Sequence, residues 1–271
     1  MRDFVALMSD QGTAAGATLN VYPDVARHQA SLFREMVDTG VEVGLHLNTL
    51  RYSRIGDDKA KWLGHMDYDE QHYAIAMAKD DLEQTLGRSC RGFRSCYGST
   101  NDHTFGVCED LGFEWTSHPH SRFRPEFASC WRGSWPYPHH TNRKSKLVYG
   151  EMKLFEMPGT NGLAVMYDSN PNQPLNLRAE TPAEKLGPDR QLLRDVIEEN
   201  IVEMEKRAIP VRTIIAGSHN TPPFGQRDSH QARNVVWVIR HTREAAASHG
   251  LTFRPAHFEN ILDEANRVDS Y

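Results

Sequence analysis

The sequence predicts an α/β fold in which parallel strands alternate with helices. Three short apolar runs, at 40–49, 92–98 and 213–220, each meet a polar or glycine-containing turn that carries a His or Arg. The segments between them have the apolar spacing of amphipathic helices, a pattern typical of a parallel sheet covered by helices. In such folds the carboxyl ends of the strands share one rim, so we expect these side chains to serve one pocket.

The first half of the chain has clear element boundaries. Asp67 and Glu70 form an N-cap pattern that starts a helix, and Gly87 is suited to end it. The other helices follow from apolar residues that recur every three to four positions. The predicted elements are a helix at 2–9, a strand at 17–22, a helix at 24–39, a strand around His46 and a helix at 67–87.

The second half continues the alternation around one long irregular stretch. Residues 118–150 are rich in aromatic residues, Pro, His and Arg, and a loop of this length is usually a lid or a binding loop. We find no repeat or linker, so we expect one domain over residues 1–271. The remaining elements are strands around Arg94 and at 113–117, 154–157, 163–167 and 211–218, and helices starting at 99–102, at 189–208 and at 228–249.

Composition and charge argue against several classes of function. The net charge of -5 and the absence of a long basic run give no reason to expect a nucleic-acid partner. No apolar window is long enough for a membrane span, and the first residues lack the core of a secretory signal. The four cysteines have neither metal-finger spacing nor the density of a disulfide scaffold, so we expect reduced thiols in a cytoplasmic protein. Whether the chain forms a homo-oligomer stays open.

The order and content of the three runs resemble the polysaccharide deacetylase family, which are carbohydrate esterases built on a distorted (β/α) barrel. GVEVGLHLNT at 40–49 resembles the histidine motif of that family, and FRSCYG at 93–98 resembles its R-x-P-(Y/F)-G motif. IIAGSHN at 214–220 resembles the late strand that ends in a catalytic His. The resemblance covers residues 17–253 and implies a distorted (β/α)7-type barrel.

The sequence departs from the family pattern at three places. The family has an Asp pair after a first barrel strand, and no such strand precedes the helix at 2–9. Either this sequence starts late, or the fold lacks its first strand and has lost its usual base, and in both cases we expect the barrel of this chain without that strand. Leu50 stands where the H-x-x-x-H motif has its second His, and Cys96 stands where the family usually has Pro.

The resemblance implies roles for His219, Arg94 and His46, and His65 is a further candidate because it lies just before the next helix. His219, before a Pro-rich turn, is expected to donate a proton to a leaving amine, which suits an imidazole at neutral pH. Arg94 matches the residue that orients a catalytic aspartate, the alternative being a structural Arg. His46 and His65 are expected to share a divalent metal, zinc being favoured, and a catalytic zinc needs three protein ligands. The alternatives are a core role for His46 and helix capping for His65.

Further residues are candidates for substrate binding. Tyr97 belongs to the FRSCYG motif, and Trp131 and Trp135 form a sugar-stacking surface or, equally well, pack against the barrel. Glu156 ends a strand and is a candidate for facing the pocket. The histidines of the irregular stretch are expected on surface loops rather than on a metal: His118, His120, His139 and His140.

Two functions remain. The first is a metal-dependent hydrolase of non-peptide C–N bonds that removes an acyl group from an N-acylated sugar or a related small amide. There the metal would activate water, a carboxylate would take its proton and His219 would protonate the amine. The second is a catalytically silent relative that binds a carbohydrate or another ligand in the same cleft.

Overall fold

The computed structural model of the protein describes residues 1–56, 60–169 and 173–268. The chain divides into two units. The sheet unit is Thr18–Met157, and the helical unit joins Met1–Ala17 to Pro158–Tyr271. No helix among the described residues is long and apolar enough to cross a membrane. The single domain expected from the sequence stays a prediction.

The sheet unit is built on one mixed sheet. The strands of this unit are β1 (Thr18–Val21), β2 (Glu42–Leu47), β3 (Gly92–Ser95), β4 (Trp115–Thr116), β5 (Phe123–Arg124), β6 (Ser129–Cys130), β7 (His139–His140) and β8 (Phe155–Glu156). Six of them form a sheet in the order β1-β2-β3-β4-β8-β7, while β5 and β6 form a separate antiparallel pair. Every pair in the larger sheet is parallel except β7 with β8. The predicted α/β class is confirmed, and closure into a barrel stays an expectation.

Four helices connect the parallel strands: α2 (Pro23–His28), α3 (Ala30–Asp38), α4 (Tyr68–Leu86) and α5 (Thr104–Asp110). The boundaries of α4 are those that the sequence predicts, with a capping box between Asp67 and Glu70 and Gly87 at φ 71°. The single helix predicted at 24–39 is wrong, because the backbone leaves the helical region at Gln29 (φ -125°, ψ 34°). Buried Ala26 and Phe33 lie seven positions apart and so stay in phase across the break, which hides it from periodicity.

The two faces of the sheet differ in chemistry. One face carries large apolar side chains, among them the fully buried Leu45 and Phe93. On the other face, Trp115 occupies space that two glycines leave open. A Cβ atom on Gly92 would lie 1.9 Å from the indole ring, and one on Gly44 would lie 2.7 Å from it. Both glycines therefore leave the space that the Trp115 ring occupies.

The helical unit contains α1 (Arg2–Asp10), β9 (Asn161–Met166), β10 (Pro174–Asn176), α6 (Gln191–Lys206), α7 (His230–Ser248) and α8 (Phe258–Val268). The strand predicted at 211–218 is wrong. Thr160 and Ile215 exchange hydrogen bonds of 2.9 Å, and Gly217 forms a single bridge with Arg178. These contacts are too widely spaced to make a ladder, although the apolar run has the composition of a strand.

Candidate active site

The carboxyl ends of β1, β2 and β3 bring a set of polar side chains together in the sheet unit. The register places His46 directly opposite Arg94. Tyr22, the residue after β1, lies with its ring centroid 4.7 Å from that of His46. Its hydroxyl lies 3.1 Å from the Cys96 Sγ, in the turn after β3. These four residues are called the rim below.

The His46 ring is held in a defined orientation. Its Nδ1 lies 3.0 Å from the backbone carbonyl oxygen of Arg94. Because a carbonyl only accepts hydrogen bonds, Nδ1 carries the hydrogen, and in the neutral ring the lone pair is on Nε2. A backbone carbonyl on the second nitrogen is also the arrangement that orients histidine ligands of metals. His46 Nε2 is thus suited to accept a proton or bind a cation.

Arg94 is fixed across the sheet. Its guanidinium donates to the backbone oxygen of Ser117 at 2.7 Å and to the hydroxyl of the same residue at 3.0 Å. These bonds hold the cationic group at the end of β4, on the level of His46. Arg94 is therefore suited to orient or stabilise an acceptor oxygen at the rim.

Tyr22 and Cys96 are both neutral at neutral pH. Burial, with the Cys96 hydrogen bond, raises the pKa of Tyr22, and burial also raises the pKa of the Cys96 thiol. Cys96 is therefore a poor nucleophile, since the thiolate is the reactive form. Tyr22 is a rim residue that the sequence reasoning missed. A Tyr at the end of an apolar strand is usually a packing residue. Only the contacts of Tyr22 with His46 and Cys96, on neighbouring parts of the sheet, place it at the rim.

Glu156 belongs to a buried network rather than to an open pocket. It is 2% exposed and accepts from the Thr116 hydroxyl at 2.5 Å, the His118 amide at 2.6 Å and the His118 Nδ1 at 3.0 Å. Burial alone would raise the pKa of Glu156, but the bonds from His118 and Thr116 outweigh it and the pKa lies below its ordinary value. The carboxylate is ionised, and these internal donors account for its position.

The surface placement expected for the loop histidines is wrong for three of the four. His118, His120 and His139 are buried. His118 Nε2 accepts the amide hydrogen of Ser95 at 3.2 Å, so its proton resides on Nδ1, where it meets Glu156. Burial lowers the pKa of His120 to about 4 and lowers that of His139. The irregular stretch therefore folds back on the sheet instead of projecting into solvent.

The three aromatic candidates have different environments. Trp131 is 2% exposed, donates its indole N–H to the Gly98 carbonyl at 2.7 Å and stacks on His118 at 5.2 Å. Its burial fits the packing alternative, and a sugar-stacking role for Trp131 stays a prediction. Trp135 is half-buried beside Tyr149, with 5.3 Å between ring centroids. Tyr97 is 42% exposed, so it is the most accessible of the three.

His65 lies in the single turn Leu63–His65, with an exposed side chain. The cap of the following helix is Asp67, not His65. Among residues 1–56, 60–169 and 173–268, no group of three or more His, Cys, Asp or Glu side chains is arranged to hold a metal ion. The residues described thus do not supply the three ligands that a catalytic zinc needs.

His219 lies in the helical unit, where a carboxylate orients it. Its Nδ1 lies 2.8 Å from Glu180 Oε1, and the same oxygen accepts the His219 amide at 2.5 Å. Burial would raise the pKa of Glu180, but the His219 bonds outweigh it and the net shift is downward. The side chain of His219 is 62% exposed. Glu180 is a partner that sequence reasoning missed, because nothing local links two residues so far apart in the chain.

Comparison with known proteins gives one family and a set of similar folds. The family model "Polysaccharide deacetylase" matches residues 6–116. No curated protein matches the chain. The structure is similar to Puue allantoinase, with a TM-score of 0.59 and 14% identity over 100% of this chain and 73% of that one. It is also similar to a probable polysaccharide deacetylase of Pseudomonas aeruginosa PAO1, with a TM-score of 0.57 and 15% identity over 100% and 73%.

A third similar structure comes from Mycobacterium smegmatis and is named provisionally as a polysaccharide deacetylase. Its TM-score is 0.58 and its identity 14%, over 99% of this chain and 77% of that one. At such low identity these structures show the fold alone. The matched segment 6–116 contains Tyr22, His46, Arg94 and Cys96, that is, the whole rim.

Proposed function

We propose that the chain is a hydrolase of the polysaccharide deacetylase type, which removes the acyl group of an N-acylated sugar or a related small amide, and the family match over residues 6–116 supports this proposal. The single observation that carries the proposal is the His46–Arg94 pair at the strand ends, with Tyr22 against it. These residues all lie in the segment that the family model matches.

The rim offers complementary groups for amide hydrolysis. His46 Nε2 is suited to accept a proton from an attacking water, because its Nδ1 hydrogen is engaged by the Arg94 carbonyl. The Arg94 guanidinium and the neutral Tyr22 hydroxyl are donors for an acyl oxygen on which negative charge develops. Each group is held by another residue, so little reorganisation is needed during the reaction.

The general-acid role of His219, in the helical unit, stays a prediction from the sequence. The Glu180 carboxylate on Nδ1 holds the ring so that Nε2 is the nitrogen that exchanges protons with a substrate. In His46 likewise, Nδ1 is hydrogen-bonded within the protein, there to the backbone carbonyl of Arg94.

The metal dependence expected from the family is a separate question for this chain. Zinc at His46 and His65 stays a prediction, and the residues described do not complete a three-ligand set. No step of the proposed chemistry is therefore assigned to a metal. Metal analysis of the purified protein, with zinc supplied and chelators avoided, tests this prediction.

The second candidate function is a silent relative that binds a carbohydrate without hydrolysing it. The incomplete ligand set among the described residues and Leu50 at the second motif position favour it. The substrate class is the same, so the two functions differ in turnover alone.

The test is an assay of acetate and free amine released from an N-acetylglucosamine oligomer, run with and without added zinc, together with calorimetric binding of the same oligomer. His46→Ala should lower the rate by on the order of 10²–10⁴-fold. His72→Ala, at a half-buried position of α4 outside the rim, is the matched control and should keep the wild-type rate. Binding without turnover in the wild-type protein would favour the silent relative, and neither binding nor turnover would contradict the proposal.

A further inference from the structure

An arginine of the helical unit is held in place by a buried amide. Asn234, a fully buried residue of α7, donates its side-chain N–H groups to the backbone oxygens of Ala179 at 2.9 Å and Thr181 at 2.8 Å. Because these bonds fix the amide, its oxygen is left as an acceptor, and Arg190 donates its Nε–H to it at 3.1 Å. The guanidinium is therefore anchored through Nε, and its two terminal nitrogens are the donors that remain for a ligand.

The backbone that carries this arginine is held in an unfavourable conformation. Arg190 has φ 54° and Asp189 has φ 47°, so two successive residues with side chains lie in the left-handed region. The Asp189 carbonyl accepts from Nε2 of the buried His241 at 3.3 Å, and the Arg190 amide donates to the Gly187 carbonyl at 3.2 Å. Strain that the surrounding structure maintains in this way clusters at ligand-binding positions.

A second guanidinium lies on the same surface. Arg233 and Trp237 are four residues apart in α7, so their side chains share one face of that helix. The Arg190 guanidinium lies over the Trp237 ring, 5.9 Å from its centre. Arg190 is half-buried and Arg233 is exposed. The two arginines, one from before α6 and one from α7, are thus neighbours of one aromatic ring.

The two arginines have no paired counter-charge. Among residues 1–56, 60–169 and 173–268, neither Arg190 nor Arg233 forms a salt bridge with a carboxylate. Burial and then the charge of Arg233 lower the pKa of Arg190, and the opposing effect of Asp189 is smaller than either. Arg240 lies over the same aromatic ring but is paired with Glu244 at 2.7 Å. A bound anion would therefore relieve the repulsion between the two unpaired cations.

We propose that Arg190 and Arg233 together bind one oxyanion, a carboxylate or a phosphate group, beside Trp237. The paired donors of a guanidinium match the paired oxygens of such a group, and two guanidinium groups supply the opposite charge. Since Asn234 already orients Arg190, less side-chain freedom is lost when the anion binds. The site lies within the helical unit and does not depend on the proposed hydrolase function.

The experiment is an NMR titration of the ¹⁵N-labelled full chain with inorganic phosphate and, separately, with malonate, at constant ionic strength. The signals followed are the Arg190 Nε–H and the Trp237 indole N–H. We expect both to shift saturably with at least one of the two anions, and the anion that binds identifies the chemical class. Arg233→Gln should weaken that binding by about tenfold or more, because it removes one of the two charged donors. Arg190→Gln should have an effect of the same size.

Arg207→Gln is the matched control, because it removes the same charge from a surface arginine that Glu203 already pairs at 2.6 Å. It should bind like the wild type. Thermal unfolding verifies that each variant folds, and the anion that binds should raise the midpoint of the wild type more than that of Arg233→Gln. Equal weakening in Arg233→Gln and Arg207→Gln would indicate general attraction of anions and overturn the site. Unchanged binding in Arg233→Gln, or shifts that saturate with neither anion, would overturn it as well.

Discussion

Replacing Glu156 by Ala removes a carboxylate that three donors share in the interior of the sheet unit. The variant leaves the Thr116 hydroxyl, the His118 amide and the His118 Nδ1 hydrogen buried without their acceptor. A buried polar group that loses its partner costs about 1–3 kcal/mol, and this variant leaves three such groups. We therefore expect the free energy of unfolding to fall by about 3–5 kcal/mol.

The assay is urea unfolding followed by circular dichroism, with Glu114→Ala as the matched control. Glu114 is 44% exposed and pairs with Arg91 at the surface, so its removal should cost about 1 kcal/mol or less. The low pKa of Glu156 adds a pH test. Its stabilisation should be present above the ordinary Glu pKa and lost as the pH falls through the lower folded value. A loss below about 1 kcal/mol in Glu156→Ala would refute the argument that these donors depend on the carboxylate.

Two further predictions concern other parts of the chain. Gly92→Ala should lower the free energy of unfolding in urea by about 1–3 kcal/mol, because its Cβ would lie 1.9 Å from the Trp115 ring. Gly159→Ala is the control and should change the stability little, since no atom lies within 4 Å of its new Cβ. Equal effects of the two substitutions would contradict this packing. His249 lies between Glu198 and Glu205 at 3.1 and 3.2 Å, and these bonds raise its pKa. Protonated His249 should stabilise the fold fully below the ordinary His pKa of about 6.5, and this stabilisation should be lost as the pH rises through the raised pKa. In His249→Ala the thermal unfolding midpoint should therefore depend less on pH over this range.

The sequence was sufficient where local chemistry decides the structure. Asp67, Glu70 and Gly87 define α4 because caps act over a few residues. The strands that carry His46 and Arg94 are short apolar runs next to helices, and parallel pairing puts both residues at the same edge.

The sequence was insufficient where tertiary contacts decide. The run at 211–218 has the composition of a strand but lacks a continuous partner along its length. Trp131 and Tyr97 are both loop aromatics, and only the folded stretch buries one against His118 and leaves the other exposed. Glu156 in β8 is hydrogen-bonded to His118, which follows the neighbouring strand β4, and no sequence spacing indicates this pairing.

The central claim is that the rim around His46 and Arg94 supports hydrolysis of an N-acyl bond. The most direct measurement is incubation of the full chain with an N-acetylglucosamine oligomer in ¹⁸O-labelled water, followed by mass spectrometry of the acetate and the sugar. We predict acetate that carries one labelled oxygen and an oligomer with a free amine, with both products strongly reduced in His46→Ala and unchanged in His72→Ala. An unchanged oligomer, with no labelled acetate from the wild-type protein at any zinc concentration, would contradict the claim.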